Sequence, residues 1–223
     1  MTLPEPLIII NLKTYEAGTG PHAEHLVRQI QAAGSRFNAG IAVACQATDI
    51  FRVSQDTTLP LLAQHVDPVG YGQHTGTISM EAVQENGAVG TLVNHSEHRI
   101  PLSDIKAIIT KSKRLNFVTV VCVRDAREAK KLAALGPTYL AVEPPELIGG
   151  TISVSTARPE LITSSVKAAG TNTMLLGGAG VKTAKDIQTA LELGAHGVLV
   201  ASGVVQSPYP QKAMTELLRG TIL

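Results

Sequence analysis

Five short clusters in this chain of 223 residues carry the side chains and turns that reaction chemistry needs. Asn11 and Lys13 stand two apart, His95-Ser96-Glu97 run together, and Glu143 directly precedes Pro144-Pro145. Two small-residue turns follow, Gly177-Gly178-Ala179-Gly180 and Ala201-Ser202-Gly203. Glu143 is a candidate general base, and Pro144 biases it to an extended backbone. His95 is a candidate hydrogen-bond donor to a carbonyl oxygen, and Lys13 would stabilise negative charge developing on a substrate. The small-residue turns offer backbone N–H groups ahead of helix N-termini, an arrangement that suits a phosphate. Gly-Gly-Ala-Gly is neither a Walker loop nor a Rossmann fingerprint. Taken singly, a lysine is usually a solvated charge, a histidine a hydrogen-bonded core residue, and a glutamate before proline the end of a strand. What those readings do not explain is why all five clusters close apolar runs.

The apolar runs are the elements that would position these groups. They cover 7–10, 41–45, 61–66, 91–93, 117–123, 139–142, 173–176 and 197–200. Several are apolar on both faces, as strands of a buried parallel sheet are. Helix-like segments lie between most of them. Pro21 opens one that Gly34 ends, Asp125 caps one that Gly136 ends, and Ser103 caps one through Ile105, Ile108 and Ile109. Thr183 and Asp186 form a capping box before Ile187, with Gly194 as stop. Strands alternating with helices imply right-handed crossovers. Eight such units match a (β/α)8 barrel, with an open doubly wound sheet as the alternative. In such a barrel the C-terminal strand ends carry the active site, and the five clusters all fall there. Residues 67–79 form a polar, glycine-bearing stretch without a clear element, and loops this long are often functional. The stretch 144–151 has a stiff start, apolar Leu147 and Ile148, and a glycine-rich end, which suits a lid.

Composition narrows the classes. The chain reads as one domain over residues 1–223, with no linker or low-complexity segment. It carries 19 basic and 18 acidic residues, a formal net charge of +1, which argues against nucleic acid or an anionic membrane as main partner. Charged residues make up 17%, too few for dense surface ion-pair networks. Two cysteines, Cys45 and Cys122, make neither a disulfide framework nor a zinc site by themselves. No apolar run is long enough to span a bilayer, and the start carries an acid and no basic region, so a cytoplasmic protein is expected.

At this point the sequence resembles the triosephosphate isomerases, over nearly the whole chain and in the right order. Asn11-Leu12-Lys13-Thr14, His95-Ser96-Glu97-His98-Arg99 and Ala141-Val142-Glu143-Pro144 look like that family's motifs. The two small-residue turns sit where its phosphate-binding turns sit. The short length and the Pro-Glu-Leu-Ile-Gly stretch look most like its archaeal branch. The resemblance implies a TIM barrel and cofactor-free, metal-free interconversion of dihydroxyacetone phosphate and glyceraldehyde 3-phosphate, in glycolysis and gluconeogenesis. It implies that Glu143 shuttles the proton and that neutral His95 polarises the carbonyl through an enediolate. Lys13 would hold phosphate and enediolate charge, Asn11 orient substrate oxygens, and Glu97 position Lys13. Phosphate would meet N–H groups near Ile148, Gly149, Gly150, Gly178, Ala201 and Ser202. Gln73-His74-Thr75-Gly76 resembles the loop that enters the neighbouring subunit, with Thr75 buttressing that subunit's Asn11 and Lys13. A homodimer is implied at least, with a homotetramer open.

Two other classes stand beside this one. A phosphate-binding epimerase would need metal ligands, and an aldolase a Schiff-base lysine on a central strand. Strands five and six offer Thr119, Cys122 and Glu143 but no lysine. A non-enzymatic phosphate sensor on the same fold would have lost its base or its electrophile, and both Glu143 and His95 are present.

Overall fold

In the computed structural model, residues 2–144, 146 and 153–222 are described. Eight parallel strands close into a barrel in sequence order, with β1 paired to both β2 and β8. They are β1 (Leu7–Asn11), β2 (Gly40–Cys45), β3 (Leu61–Ala63), β4 (Ala88–Val93), β5 (Val118–Val123), β6 (Tyr139–Val142), β7 (Met174–Gly177) and β8 (Gly197–Val200). Closure excludes the open doubly wound sheet.

The crossovers carry α1 (Gly20–Gly34), α2 (Ile50–Ser54), α3 (Met80–Glu85), α4 (Leu102–Arg114), α5 (Ala126–Ala133), α6 (Val154–Ala157), α7 (Pro159–Ala169) and α8 (Ala184–Glu192). After β8 come α9 (Ser202–Val205) and α10 (Pro210–Leu218). The helix between β2 and β3 and the one between β3 and β4 are reduced to a turn or so. None of the described helices is long and apolar enough to cross a membrane.

Caps explain several boundaries. Asp125 accepts the Glu128 N–H at 2.8 Å and starts α5. Thr183 and Asp186 form the reciprocal capping box of α8. Ser103 does not cap α4. That helix begins at Leu102, directly after Pro101, and the Ser103 hydroxyl sits inside the first turn bonding Asp104 at 3.0 Å.

Two apolar cores follow from strand alternation. On β1, Ile8 and Ile10 face the helices while Leu7 and Ile9 face into the barrel. The inner core also holds Ala44, Leu62, Leu92, Val120, Cys122, Ala141, Leu176 and Leu199. It is closed at the N-terminal end by Leu3, whose backbone N–H reaches the buried Tyr139 hydroxyl at 2.9 Å. Burying one such aliphatic side chain contributes roughly 1.5–3 kcal/mol. The inner parity matters for function, because the next inward positions beyond the core fall on the barrel mouth. Asn11 follows Leu7 and Ile9, Glu143 follows Tyr139 and Ala141, Gly178 follows Leu176, and Ala201 follows Leu199.

Candidate active site

The mouth holds a cleft lined in part by Asn11, Lys13, His95, Glu143, Ala201 and Ser202. Ala179, Gly180 and Val181 form another side of it. These are groups from β1, β4, β6, β7 and β8, brought together only by closure.

Lys13 sits in the left-handed region, at φ 51°. For a residue with a Cβ that conformation costs of the order of 1–2 kcal/mol, so surrounding bonds must hold it. Its N–H donates to Asn11 Oδ1 at 3.0 Å. Its carbonyl accepts from Gln64 Nε2 at 2.9 Å, and the same amide reaches Ala44 O at 3.3 Å. Gln64 thereby pins the Lys13 backbone to the end of β2. The Lys13 ammonium meets Glu97 Oε1 at 2.6 Å. With Glu97 half exposed, such a pair is worth up to about 1 kcal/mol, so its effect is orientation of the lysine. Asn11 Oδ1 being engaged by Lys13, the Asn11 amide N–H groups are the ones left to face a ligand.

His95 is presented by a strained turn. Asn94 also has a left-handed backbone, at φ 60°. Its side chain donates to Cys122 O at 3.0 Å and accepts from the Ile100 N–H at 3.2 Å, latching the turn to β5 and to the approach of α4. The His95 ring is buried, and its Nδ1 accepts the Glu97 backbone N–H at 3.2 Å. Only an unprotonated Nδ1 can accept that bond, so the neutral ring carries its proton on Nε2. Nε2 stands 3.5 Å from Glu143 Oε2. Burial of the ring pulls its pKa down. The Glu143 carboxylate, with help from Glu97, outweighs this and leaves His95 raised above the usual histidine value. The two effects act on different sites. The amide bond decides the tautomer, and the carboxylates decide how readily a second proton is taken up.

Glu143 is buried, at 6% exposure. Its N–H continues the sheet to Val123 O at 2.7 Å. Its Oε2 accepts no hydrogen bond from any described residue, which leaves an unshielded carboxylate oxygen at the cleft. Cys122 lies beside it, and burial, reinforced by the Glu143 charge, pushes that thiol well above its usual pKa. Cys122 is therefore an inert wall rather than a nucleophile. Gly178 supplies room. A Cβ there would lie 2.4 Å from Glu143 Cγ. The Gly178 N–H, expected to face a phosphate, donates instead to Val142 O at 2.9 Å.

Other expected residues are placed as follows. Ala201 precedes α9 and Ser202 begins it, with both lining the cleft. Thr75 is exposed on the loop of residues 67–79 and does not line its own chain's cleft. The loop's base is pinned by paired bonds, Asp67 N–H to Ile78 O at 2.8 Å and Ile78 N–H to Asp67 Oδ2 at 2.7 Å. Ile148, Gly149 and Gly150, with Leu147, lie outside the described residues. Sequence reasoning missed Gln64 and Asn94. Gln64 was findable as the polar residue that interrupts the third apolar run, and Asn94 as the asparagine before the histidine, since asparagine tolerates left-handed backbone. Among the described residues no cluster of His, Cys, Asp or Glu could hold a metal ion.

Comparison with known proteins places this geometry. The family model described as "Triosephosphate isomerase" matches residues 6–217. The triosephosphate isomerase of Methanothermobacter thermautotrophicus is 44% identical over 216 residues, covering 96% of this chain and 94% of that protein. That of Methanothermus fervidus is 40% identical over 219 residues, covering 97% and 99%. The crystal structure of triosephosphate isomerase from Bartonella henselae superposes with a TM-score of 0.73 at 22% identity, covering 96% of this chain and 99% of that one. At that identity it speaks for the barrel fold alone.

Proposed function

We infer the following from the premise that this chain belongs to the triosephosphate isomerase family: it is an isomerase that interconverts dihydroxyacetone phosphate and glyceraldehyde 3-phosphate. The observation that carries the reading is the meeting of the unshielded Glu143 Oε2 and the His95 Nε2 at 3.5 Å in the cleft. A substrate bound against this pair would present its carbon-bound proton to Glu143 and its carbonyl oxygen to the Nε2–H of His95. Glu143 takes the proton from one carbon, the electron pair moves onto the carbonyl oxygen, and an enediolate forms. Glu143 then returns the proton to the neighbouring carbon, while the hydroxyl proton of the first carbon passes by way of His95 Nε2 to the oxygen of the second, so that hydroxyl and carbonyl exchange places. His95 donates as a neutral ring, the form known for the triosephosphate isomerases. Lys13 faces the developing negative charge, which a water-poor cleft makes more effective. Asn11 orients substrate oxygens through its free amide.

The phosphate goes to the side of the cleft built by 179–181 and 201–202. The first N–H groups of any helix lack partners within it, and Ser202 opens α9 at this wall. Ile148, Gly149 and Gly150 join these as proposed phosphate contacts. Gly178 acts by leaving space for Glu143.

The assembly is at least a homodimer. The loop of 67–79 projects exposed Tyr71 and Thr75, and beside the cleft lies a socket formed by Lys13, Gln64, His65, Glu97 and His98 among others. We place Thr75 of one subunit in this socket of the other, against its Asn11 and Lys13. Sedimentation of the parent and of a chain lacking 72–76 checks this: the shortened chain should run at half the mass and turn over poorly. Two buried free cysteines suit a reducing compartment, and we place the enzyme in the cytoplasm.

The direct test is a coupled assay of glyceraldehyde 3-phosphate conversion by the parent and by Glu143→Gln. Removing the base while keeping its shape should lower kcat by several orders of magnitude. A well-folded parent that binds phosphate without turnover would overturn the isomerase reading. Undiminished activity in the variant would keep the reaction and reject the base.

A further inference from the structure

Behind the phosphate side of the cleft lies a buried carboxylate that the chemistry does not use. Asp186, at 8% exposure, is the third residue of α8 and completes its capping box. A cap needs only the exchange with Thr183. Asp186 accepts much more. Its Oδ2 takes the Lys182 N–H at 3.1 Å, the Thr183 N–H at 2.9 Å and the Thr183 hydroxyl at 2.8 Å. Its Oδ1 takes the Ser153 hydroxyl at 2.5 Å and the Thr156 hydroxyl at 3.3 Å. The Ser155 hydroxyl adds a bond to its carbonyl at 2.9 Å. Two chain segments far apart in sequence are thus tied to one residue: the start of α6, and the exit of the turn that lines the cleft.

That turn needs holding. Ala179 has a Cβ and a left-handed φ of 62°, and its carbonyl accepts the Val154 N–H of α6 at 3.2 Å. The turn is anchored at its entry by Gly178 to Val142, in its middle by α6, and at its exit by Asp186. The middle anchor is only as firm as the seat of α6, and Asp186 provides that seat through Ser153, Ser155 and Thr156.

We propose that Asp186 is a positioning residue: by clamping α6 to the exit of the 179–181 turn it sets the affinity of the cleft for the substrate's phosphate. This rests on the reading that the phosphate lies against that turn. Position and charge act on phosphate binding with opposite sign. A buried anion near a phosphate site repels it, so neutralising Asp186 would tighten binding if charge were its only effect. Asn in its place keeps the shape but puts an amide donor where two hydroxyls or two N–H groups donate, so the clamp opens and binding weakens.

The test uses the full chain with Asp186→Asn and, separately, the pair Ser153→Ala with Thr156→Val, which spares the capping box. Three quantities are read: kcat and KM for glyceraldehyde 3-phosphate, the dissociation constant of inorganic phosphate followed by NMR, and Tm. The expected result is a rise in KM and in the phosphate constant together, by about tenfold, with kcat changed by less than about threefold. The Ser153/Thr156 pair should reproduce most of that rise, and it carries the test should Asp186→Asn fail to fold. A fall in Tm with both constants unchanged would reduce Asp186 to a helix cap and overturn the proposal. Tighter phosphate binding would overturn it in favour of charge. Phosphate binding is read without turnover, so a failure of the isomerase assignment would appear separately, as a parent that binds but does not convert.

Discussion

At the scale of single residues, the site depends on a missing side chain as much as on those present. Gly178→Ala would put a methyl 2.4 Å from Glu143 Cγ, and the glutamate must move. A displacement of the order of 1 Å at a reacting group can cost about 100-fold. The expected outcome is a loss of kcat near that size with the circular dichroism spectrum unchanged, and a fully active Gly178→Ala would show that the carboxylate tolerates the shift. Sequence reading reached Asn11, Lys13, His95 and Glu143 because each is a chemically capable type at the end of an apolar run. It reached Gly178 for a different reason from the one found, since a glycine's sequence does not say whether its N–H is free. Gln64 escaped because its work is done on the Lys13 carbonyl, and backbone strain leaves no mark on composition.

At the scale of elements, local chemistry decided boundaries where a side chain could reach its own helix. Asp125 bonds the Glu128 N–H, and Asp125→Ala should destabilise the fold by about 1 kcal/mol. The shift in urea midpoint, at constant slope, measures it, and no shift would mean that α5 is held by packing alone. Ser103 shows the limit of that logic. Pro101 is a good residue to precede a helix, so α4 starts too early for the serine to stand at its cap. The third apolar run, 61–66, gives only Leu61–Ala63 as strand, because Gln64 turns its amide to Lys13 and Ala44. The fourth strand instead extends back to Ala88, beyond what 91–93 suggests, with Gly90 passing close to Val118 of β5. Such losses and gains belong to tertiary contacts, which periodicity does not contain.

At the scale of the whole molecule, acid should act through a few carboxylates that tie distant segments. Burial pushes the pKa of Asp67, Glu81 and Asp186 up, but hydrogen bonds outweigh it and leave all three lowered. The donors are Ile78 N–H and His65 for Asp67, Lys111 for Glu81, and Ser153 with Lys182 and Thr183 for Asp186. A lowered native pKa means stability that is complete above the ordinary carboxylate value of about 4 and is lost as pH falls through the native one. The raised His95 should make the urea midpoint rise a little as pH falls through neutrality to about 6, and the three carboxylates should make it fall steeply below about 4. Asp67→Asn should make that fall shallower, and an equal slope in the variant would remove Asp67 from the account. The closed order of the strands was readable only as a count of eight units. Closure itself came from β1 meeting β8, which no local pattern announces.

One feature of the cleft bears on heat resistance as well as on turnover. Glu143 is an acidic side chain held away from water with an oxygen that no described residue satisfies, and such burial of a polar group is unfavourable to the folded state. In a chain whose caps, parity and packing otherwise agree, it is a point of frustration. Relieving it should make the protein sturdier while removing the proposed base: Glu143→Gln is expected to melt a few degrees higher, at roughly 2–4 °C per kcal/mol for a chain of this length. Selection for endurance alone would discard the very residue proposed as the base.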